Sequence, residues 1–271
     1  NIMKPLLETI NTNPLINKKL FQINFRAVNQ IVLVTLIYHK QLDQNWLESA
    51  RIIETKLDIN VLGRSKNQLL ATHLTELEQY IDINPSYYLY QNDKTFYQPN
   101  AFLMPKMVKL VISLIENPRD LLELYCGCGT FTIPLSYSFK NVFATENNRE
   151  SISYLKKSIH KNHIKNIFYA RLSDIELMDA YKGRIFRRLE NIDLKNFNFS
   201  HVLVDPPRSG LSHNVTEILN KFENIIYISC NPDTFKRDLD KLKDYRIKKL
   251  EVFDQFSNTP HLELIALLIK R

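Results

Sequence analysis

The chain has 271 residues, of which 44% are hydrophobic and 24% charged, the balance of an ordinary globular protein with room for one large core or two modest ones. No apolar run approaches the roughly 20 residues of a membrane span, and no basic segment with an apolar stretch opens the chain, so neither a membrane protein nor a secreted one is expected. The net charge of +7 suits a polyanionic partner, although a sequence this rich in Lys, Asn and Ile carries basic charge whatever its function.

In chain order, residues 20–25 and 31–39 are β-rich and separated by residues 26–30, a hairpin-like spacing. Trp46, Ala50, Ile53 and Leu57 recur at helical intervals. Residues 60–62 and 68–72 predict short strands, and residues 87–91 and 95–97 predict two more around an Asn92-Asp93 turn. Pro99 interrupts this pattern. Leu103, Met107, Leu110 and Leu114 then mark a helix, with Pro105 tolerated in its first turn.

From there strands and helices alternate. Strands are predicted at 121–125, 142–145, 167–170, 201–204 and 225–228, and helices at 132–137, 151–161, 214–222 and 234–242. Residues 247–253 and 261–270 close the chain as two strands with no helix between them, hence an antiparallel pair. The expected fold class is α/β: a Rossmann-like, mostly parallel sheet ending in an antiparallel hairpin, preceded by a smaller α+β domain. The expected domains are residues 1–97 and 98–271.

The turn after the first strand of the second domain, Tyr125-Cys126-Gly127-Cys128-Gly129-Thr130, lets the backbone turn sharply and approach a ligand. Glu146 ends the next strand, where an acid accepts hydrogen bonds from ribose hydroxyls. Thr132 and Ile133 stand where a dinucleotide site would want a further glycine, so the loop suits S-adenosylmethionine, a ligand without phosphates; a tight turn without a ligand is the plainer alternative. Cys126 and Cys128 have no second Cys or His pair to complete a metal site and are expected to pack the turn. Three cysteines without an even framework point to a reducing compartment, with the cytoplasm as default.

Asp205-Pro206-Pro207-Arg208 follows the fourth strand of that domain as a stiff, extended loop suited to gripping a planar base. Arg208, in place of an aromatic residue, suggests oxygen or phosphate contacts and favours a uracil over an adenine. Cys230, in Ser229-Cys230-Asn231-Pro232 at the next strand tip, is either an inert small hydrophobe or a nucleophile facing substrate. Carbon 5 of uracil becomes nucleophilic only after addition at carbon 6, and a base must then remove the proton from carbon 5. Glu263, in His261-Leu262-Glu263, enters an apolar strand. There it is either a paired structural acid or a base whose burial raises its pKa toward neutrality.

Taken together, Asp205-Pro206-Pro207-Arg208-Ser209-Gly210, Tyr227-Ile228-Ser229-Cys230-Asn231-Pro232 and His261-x-Glu263 resemble the tRNA (uracil-5-)-methyltransferase family. The likeness extends to Leu121-Leu122-Glu123-Leu124-Tyr125-Cys126-Gly127, Ala144-Thr145-Glu146, Gln98-Pro99-Asn100, Leu36-Ile37-Tyr38-His39-Lys40 and Leu62-Gly63-Arg64. The resemblance implies an S-adenosylmethionine-dependent enzyme making 5-methyluridine, with the T-loop of tRNA as the expected target. Cys230 is then the nucleophile and Glu263 the acceptor of the carbon 5 proton. Cofactor contacts fall on Gln98, Tyr125, Glu146 and Asp205, and on Thr130, where the family pattern has Asn.

Relatives acting on ribosomal RNA often carry an iron–sulfur cluster, which the three cysteines here are not placed to build, so no metal is expected. The family also has a further β-rich N-terminal stretch ahead of the part matched, and the chain, opening Asn1-Ile2-Met3, is expected to lack it. The expected partner is RNA, most simply tRNA, bound by a monomer with residues 1–97 as recognition domain. Ribosomal RNA as target, or a non-catalytic RNA-binding relative, are the competing expectations. Phe21, Arg26, Arg64 and the cluster Arg184-Ile185-Phe186-Arg187-Arg188 are candidate supports for an extruded uridine, the cluster being equally readable as a solvated basic connection.

Overall fold

A computed structural model describes residues 2–259 and 261–271. The chain divides into two units, Asn1–Gln79 with Tyr90–Lys94, and Tyr80–Leu89 with Thr95–Arg271. Strands β5 (Leu77–Ile81) and β6 (Tyr87–Gln91), which pair with each other, carry the chain between them.

Unit 1 opens with helices α1 (Met3–Asn11) and α2 (Pro14–Asn17). A four-stranded sheet follows: β1 (Leu20–Val28), β2 (Ile31–Tyr38), β3 (Asn60–Ser65) and β4 (Gln68–Ala71), in that spatial order. β1 and β2 pair antiparallel through Val28↔Ile31, so only Asn29 and Gln30 form the turn, not residues 26–30. Asn29 supplies the left-handed φ of 53° that such a tight turn needs. β2 and β3 run parallel because α3 (Gln44–Leu57) crosses between them. Trp46, Ala50 and Ile53 of α3 pack with Leu6 and Ile10 of α1 and with Val34, Leu36 and Val61 of the sheet. Gly63 makes room for this, since a Cβ there would meet the Trp46 ring at 2.3 Å. Residues 95–97 form no strand. β6 pairs instead with β5, whose Leu-Glu-Gln-Tyr-Ile lacks clean alternation.

Unit 2 is built on a seven-stranded sheet. Its strands are β7 (Asp120–Leu124), β8 (Asn141–Glu146), β9 (Ile167–Arg171), β10 (Phe199–Val204), β11 (Asn224–Ser229), β12 (Tyr245–Phe253) and β13 (Glu263–Lys270). The spatial order is β12-β13-β11-β10-β7-β8-β9. β7 to β11 run parallel, and β13 is antiparallel to both β11 and β12. The helices are α4 (Met104–Ser113), α5 (Thr132–Leu135), α6 (Arg149–Lys161), α7 (Asp174–Tyr181), α8 (His213–Leu219) and α9 (Pro232–Leu239).

Successive strand residues point to opposite faces. Leu121 and Leu203 therefore join Met107, Val111, Ile133 and Leu155 in one core. Leu122, Val202 and Val204 join Leu177, Val215, Ile218 and Phe235 in the other. Both faces of the sheet are thus covered by helices, the reason its central strands are continuous apolar runs. The fold is a Rossmann-like α/β architecture closed by the expected antiparallel hairpin. No helix among the described residues is long and apolar enough to cross a membrane.

Candidate active site

In a parallel sheet the carboxyl ends of the strands face one edge, and register fixes what meets there. Val204 lies opposite Leu124 on one side and Tyr227 on the other. Asp205 thus follows β10 directly between the ends of β7, where Tyr125 begins the turn, and β11. Ser229 lies opposite Leu264 in the antiparallel pair β11/β13. Cys230, one residue beyond Ser229, and Glu263, the first residue of β13, therefore lie side by side at this edge. Glu146 ends β8, whose Thr145 lies opposite Leu124.

The turn after β7 is built from left-handed residues: Tyr125 has φ 61°, Gly127 56° and Gly129 98°. Glu146 braces it, its carboxylate accepting the N–H of Gly127 at 3.1 Å and that of Asn148 at 2.7 Å. Gly129 is required for packing, since a Cβ there would lie 2.6 Å from Leu155 Cδ1. Gly127 faces open space, with nothing within 4 Å of an added Cβ. A cavity of about 100 Å³ lies between Tyr125, Glu146, Leu172 and Asp174. Thr130 presents its carbonyl to the Tyr87 hydroxyl at 3.4 Å. Cys126 and Cys128 are buried, and burial pushes the Cys126 thiol well up, as expected of residues that pack the turn.

Glu263 is only 3% exposed, and burial pushes its carboxyl up to about 7. The environment expected from a lone acid entering an apolar strand is therefore present. Asp205 is held well above the usual carboxylate range by burial, then by the charges of Glu263 and Glu123. Cys230 is half-buried, and its thiol is raised by burial and by the same two carboxylates, Glu263 and Asp205. The charge and hydrogen bond of Arg208 act the other way and favour the thiolate. Asn231 donates to the Arg208 carbonyl at 3.2 Å, tying the two loops together.

Three polar residues of this region carried no assigned role in the sequence. Glu123, in the middle of β7, is 1% exposed with a carboxyl pushed up to about 8 by burial. Asp238 is fully buried, accepting from Leu211 N–H at 2.7 Å and the Tyr227 hydroxyl at 2.9 Å; with Arg237, which donates to the Ser209 carbonyl at 2.8 Å, it anchors the Pro-Pro loop. Its place among Arg237, Lys236 and Lys241 gives a solvated look that hides this. Gln255, 5% exposed, donates to Gln98 Oε1 at 2.5 Å and sits 3.5 Å from Glu263 Oε2. Gln98 in turn donates to Asp205 at 3.4 Å. No local pattern marks Gln255.

Within unit 1, two of the candidate RNA supports are engaged. Arg26 is 7% exposed and donates to Gln91 and the Asn92 carbonyl, and Arg64 is paired with Asp93 at 2.5 Å. Phe21 is exposed and meets His39 edge-on at 4.6 Å. In the 184–188 cluster, Arg184 pairs with Asp179 and Arg188 with Glu176, both stacking over Phe186, while Arg187 is exposed.

The donor set fits a cationic ligand bearing hydroxyls. Carboxyl groups at Glu146 and Asp205 line an edge with open backbone at Gly127, and the buried Gln255 Oε1 has no hydrogen-bond partner among the described residues.

The sequence matches the protein family described as tRNA (Uracil-5-)-methyltransferase over residues 1–271. It is 43% identical to the tRNA/tmRNA (uracil-C(5))-methyltransferase of Campylobacter concisus, over 99% of this chain and 74% of the relative. It is 40% identical to that of Nitratiruptor, over 97% of this chain and 74% of the relative. The fold is similar to that of the Pyrococcus abyssi tRNA (uracil-54, C5)-methyltransferase in complex with S-adenosyl-L-homocysteine, with a TM-score of 0.70 and 24% identity over 91% of this chain and 59% of that one.

Proposed function

The chain belongs to the tRNA (uracil-5-)-methyltransferase family and is an S-adenosylmethionine-dependent methyltransferase, and on that premise we propose that it methylates carbon 5 of a uridine in the T-loop of tRNA. Residues 1–97 serve as its RNA-recognition domain and residues 98–271 as its catalytic domain. The single observation that carries the reading is the register of β11 and β13, which sets the thiol of Cys230 beside the buried carboxyl of Glu263.

When bound, S-adenosylmethionine supplies an electrophilic methyl group. Glu146 would hold its ribose hydroxyls, with Tyr125, Gln98, Asp205 and Thr130 as the remaining contacts. The chemistry of this chain's residues then runs in three steps. Cys230 gives up its proton to solvent, the thiolate being favoured by the charge and hydrogen bond of Arg208, and its sulfur bonds to carbon 6 of the uracil, moving the double-bond electrons onto carbon 5. Carbon 5 takes the methyl group and for a moment carries both it and its original hydrogen. Glu263, as carboxylate, removes that proton; the electron pair restores the 5,6 double bond and the carbon–sulfur bond breaks. A base pushed to about 7 suits this task, being ionised in part at neutrality and only weakly solvated.

Unmodified tRNA incubated with the protein and methyl-labelled S-adenosylmethionine should yield 5-methyluridine at one T-loop position. Label in ribosomal RNA alone would redirect the target, and binding of tRNA without label transfer would make the protein a non-catalytic RNA binder.

A further inference from the structure

Glu263 meets two different demands within one turnover. Before proton removal it must be held as a carboxylate beside carbon 5, and afterwards it is an acid with an O–H to donate. Gln255 is the polar side chain placed to serve it. The residue lies in the β12–β13 hairpin loop, two positions after Phe253, which itself is the register partner of Glu263. Its Nε2 reaches Glu263 Oε2 at 3.5 Å and Gln98 Oε1 at 2.5 Å, and Gln98 Nε2 reaches Asp205 Oδ2 at 3.4 Å. A chain of side-chain amides therefore joins Glu263 to Asp205.

The amide oxygen of Gln255 is buried and has no partner among the described residues. Leaving a buried acceptor unpaired carries a desolvation cost, which a group that takes up the acceptor during the reaction would offset. A carboxamide holds a donor and an acceptor on one carbon. By turning over it can answer either the carboxylate or the acid.

We propose that Gln255 is a positioning residue for proton removal from carbon 5, holding Glu263 in place and tying it through Gln98 to the cofactor side of the site. This rests on the reading of Glu263 as proton acceptor given above. The test uses the full chain with Gln255→Met, which keeps the length of the side chain and loses both amide groups, and Gln255→Glu, which keeps its shape. Turnover, KM for S-adenosylmethionine and the covalent enzyme–RNA species retained on a denaturing gel are measured for each.

Turnover should fall about 10- to 100-fold, the range expected when a reacting group is misplaced by a fraction of an ångström to an ångström. KM should stay within about threefold, because ground-state binding is little touched. The trapped covalent species should increase, because attack and methyl transfer outrun elimination. A merely structural role predicts no such accumulation. Turnover within about twofold of wild type, or a loss without trapped species, overturns the proposal. So does failure of both near-isosteric variants to fold, since positioning requires that the fold outlive the amide. Wild-type protein that does not methylate RNA overturns the functional reading itself, a result distinct from an active wild type with unaffected variants.

Discussion

Glu146 accepts the backbone N–H of Gly127 at 3.1 Å, so the acid at the end of β8 holds the turn that follows β7. One carboxylate oxygen orients the glycine loop and the other binds Asn148 N–H at 2.7 Å. Such a carboxylate is fixed before any ligand arrives. Glu146→Ala removes both the brace and the proposed ribose acceptor. Affinity for S-adenosylhomocysteine, measured by calorimetry, should fall about 10- to 100-fold, the value of one or two charge-assisted hydrogen bonds. Undiminished affinity would remove Glu146 from the cofactor site.

Two glycines of that turn should respond differently to alanine. At Gly129, φ is 98° and the added Cβ would stand 2.6 Å from Leu155 Cδ1 in the core. Overpacking and a forbidden φ together should cost about 2–4 kcal/mol in thermal or urea unfolding. At Gly127, φ is 56° and the Cβ meets nothing, so Gly127→Ala should cost about 1 kcal/mol, the left-handed penalty alone. Equal losses at the two positions would contradict the packing assigned to Gly129.

Burial raises Glu263 from 4.5 to about 7, which ties activity and stability to pH in opposite senses. As base it must be ionised, so turnover should rise with pH through about 7. The folded state binds the proton more tightly than the unfolded state, so the stability this contributes is complete below about 4.5 and is lost as pH rises through about 7. Turnover and melting temperature should therefore move apart across that window. Glu263→Gln should abolish turnover and remove this share of the stability slope. A variant that retains both pH dependences would place the titrating group elsewhere.

His201 should act on the acid side. It is fully buried in β10, its Nδ1 within 2.8 Å of Ser200 Oγ and its ring edge-on to Phe139 at 5.2 Å. Burial first, then the charge of Arg119, pushes it down to about 4. Between about 4 and 6.5 the unfolded chain carries the proton and the folded chain does not, so stability should fall as pH drops through that range. His201→Leu should flatten this limb in pH-dependent melts; an unchanged limb would assign it to other groups.

The strand and helix alternation of residues 98–271 was legible because its central strands are buried on both faces and read as unbroken apolar runs, as in Val202-Leu203-Val204. Cys230 and Glu263 were legible as residue types at strand ends, but their adjacency was not, because it depends on β13 entering the sheet between β11 and β12. Helix α7 was missed although Ser173 and Glu176 form a capping box at its start, a signal present in the sequence. Helix α1 was missed because only Leu6 and Ile10 of it are buried. Arg26 stands among the candidate supports for an extruded uridine because nothing local tells that it turns inward to Gln91. Gln255 and Asp238 were invisible for the same reason: their partners lie 157 and 8 residues away for the one, and 27 and 11 for the other.

The bond between Cys230 and carbon 6 is the claim on which the rest depends. Its most direct measurement is mass spectrometry of the Glu263→Gln variant after incubation with tRNA and S-adenosylmethionine, followed by digestion. A peptide containing Cys230 should carry a methylated uridine nucleotide, and the double variant with Cys230→Ala should carry none. A nucleotide attached at another residue, or methyl transfer by the Cys230→Ala protein, would contradict the account.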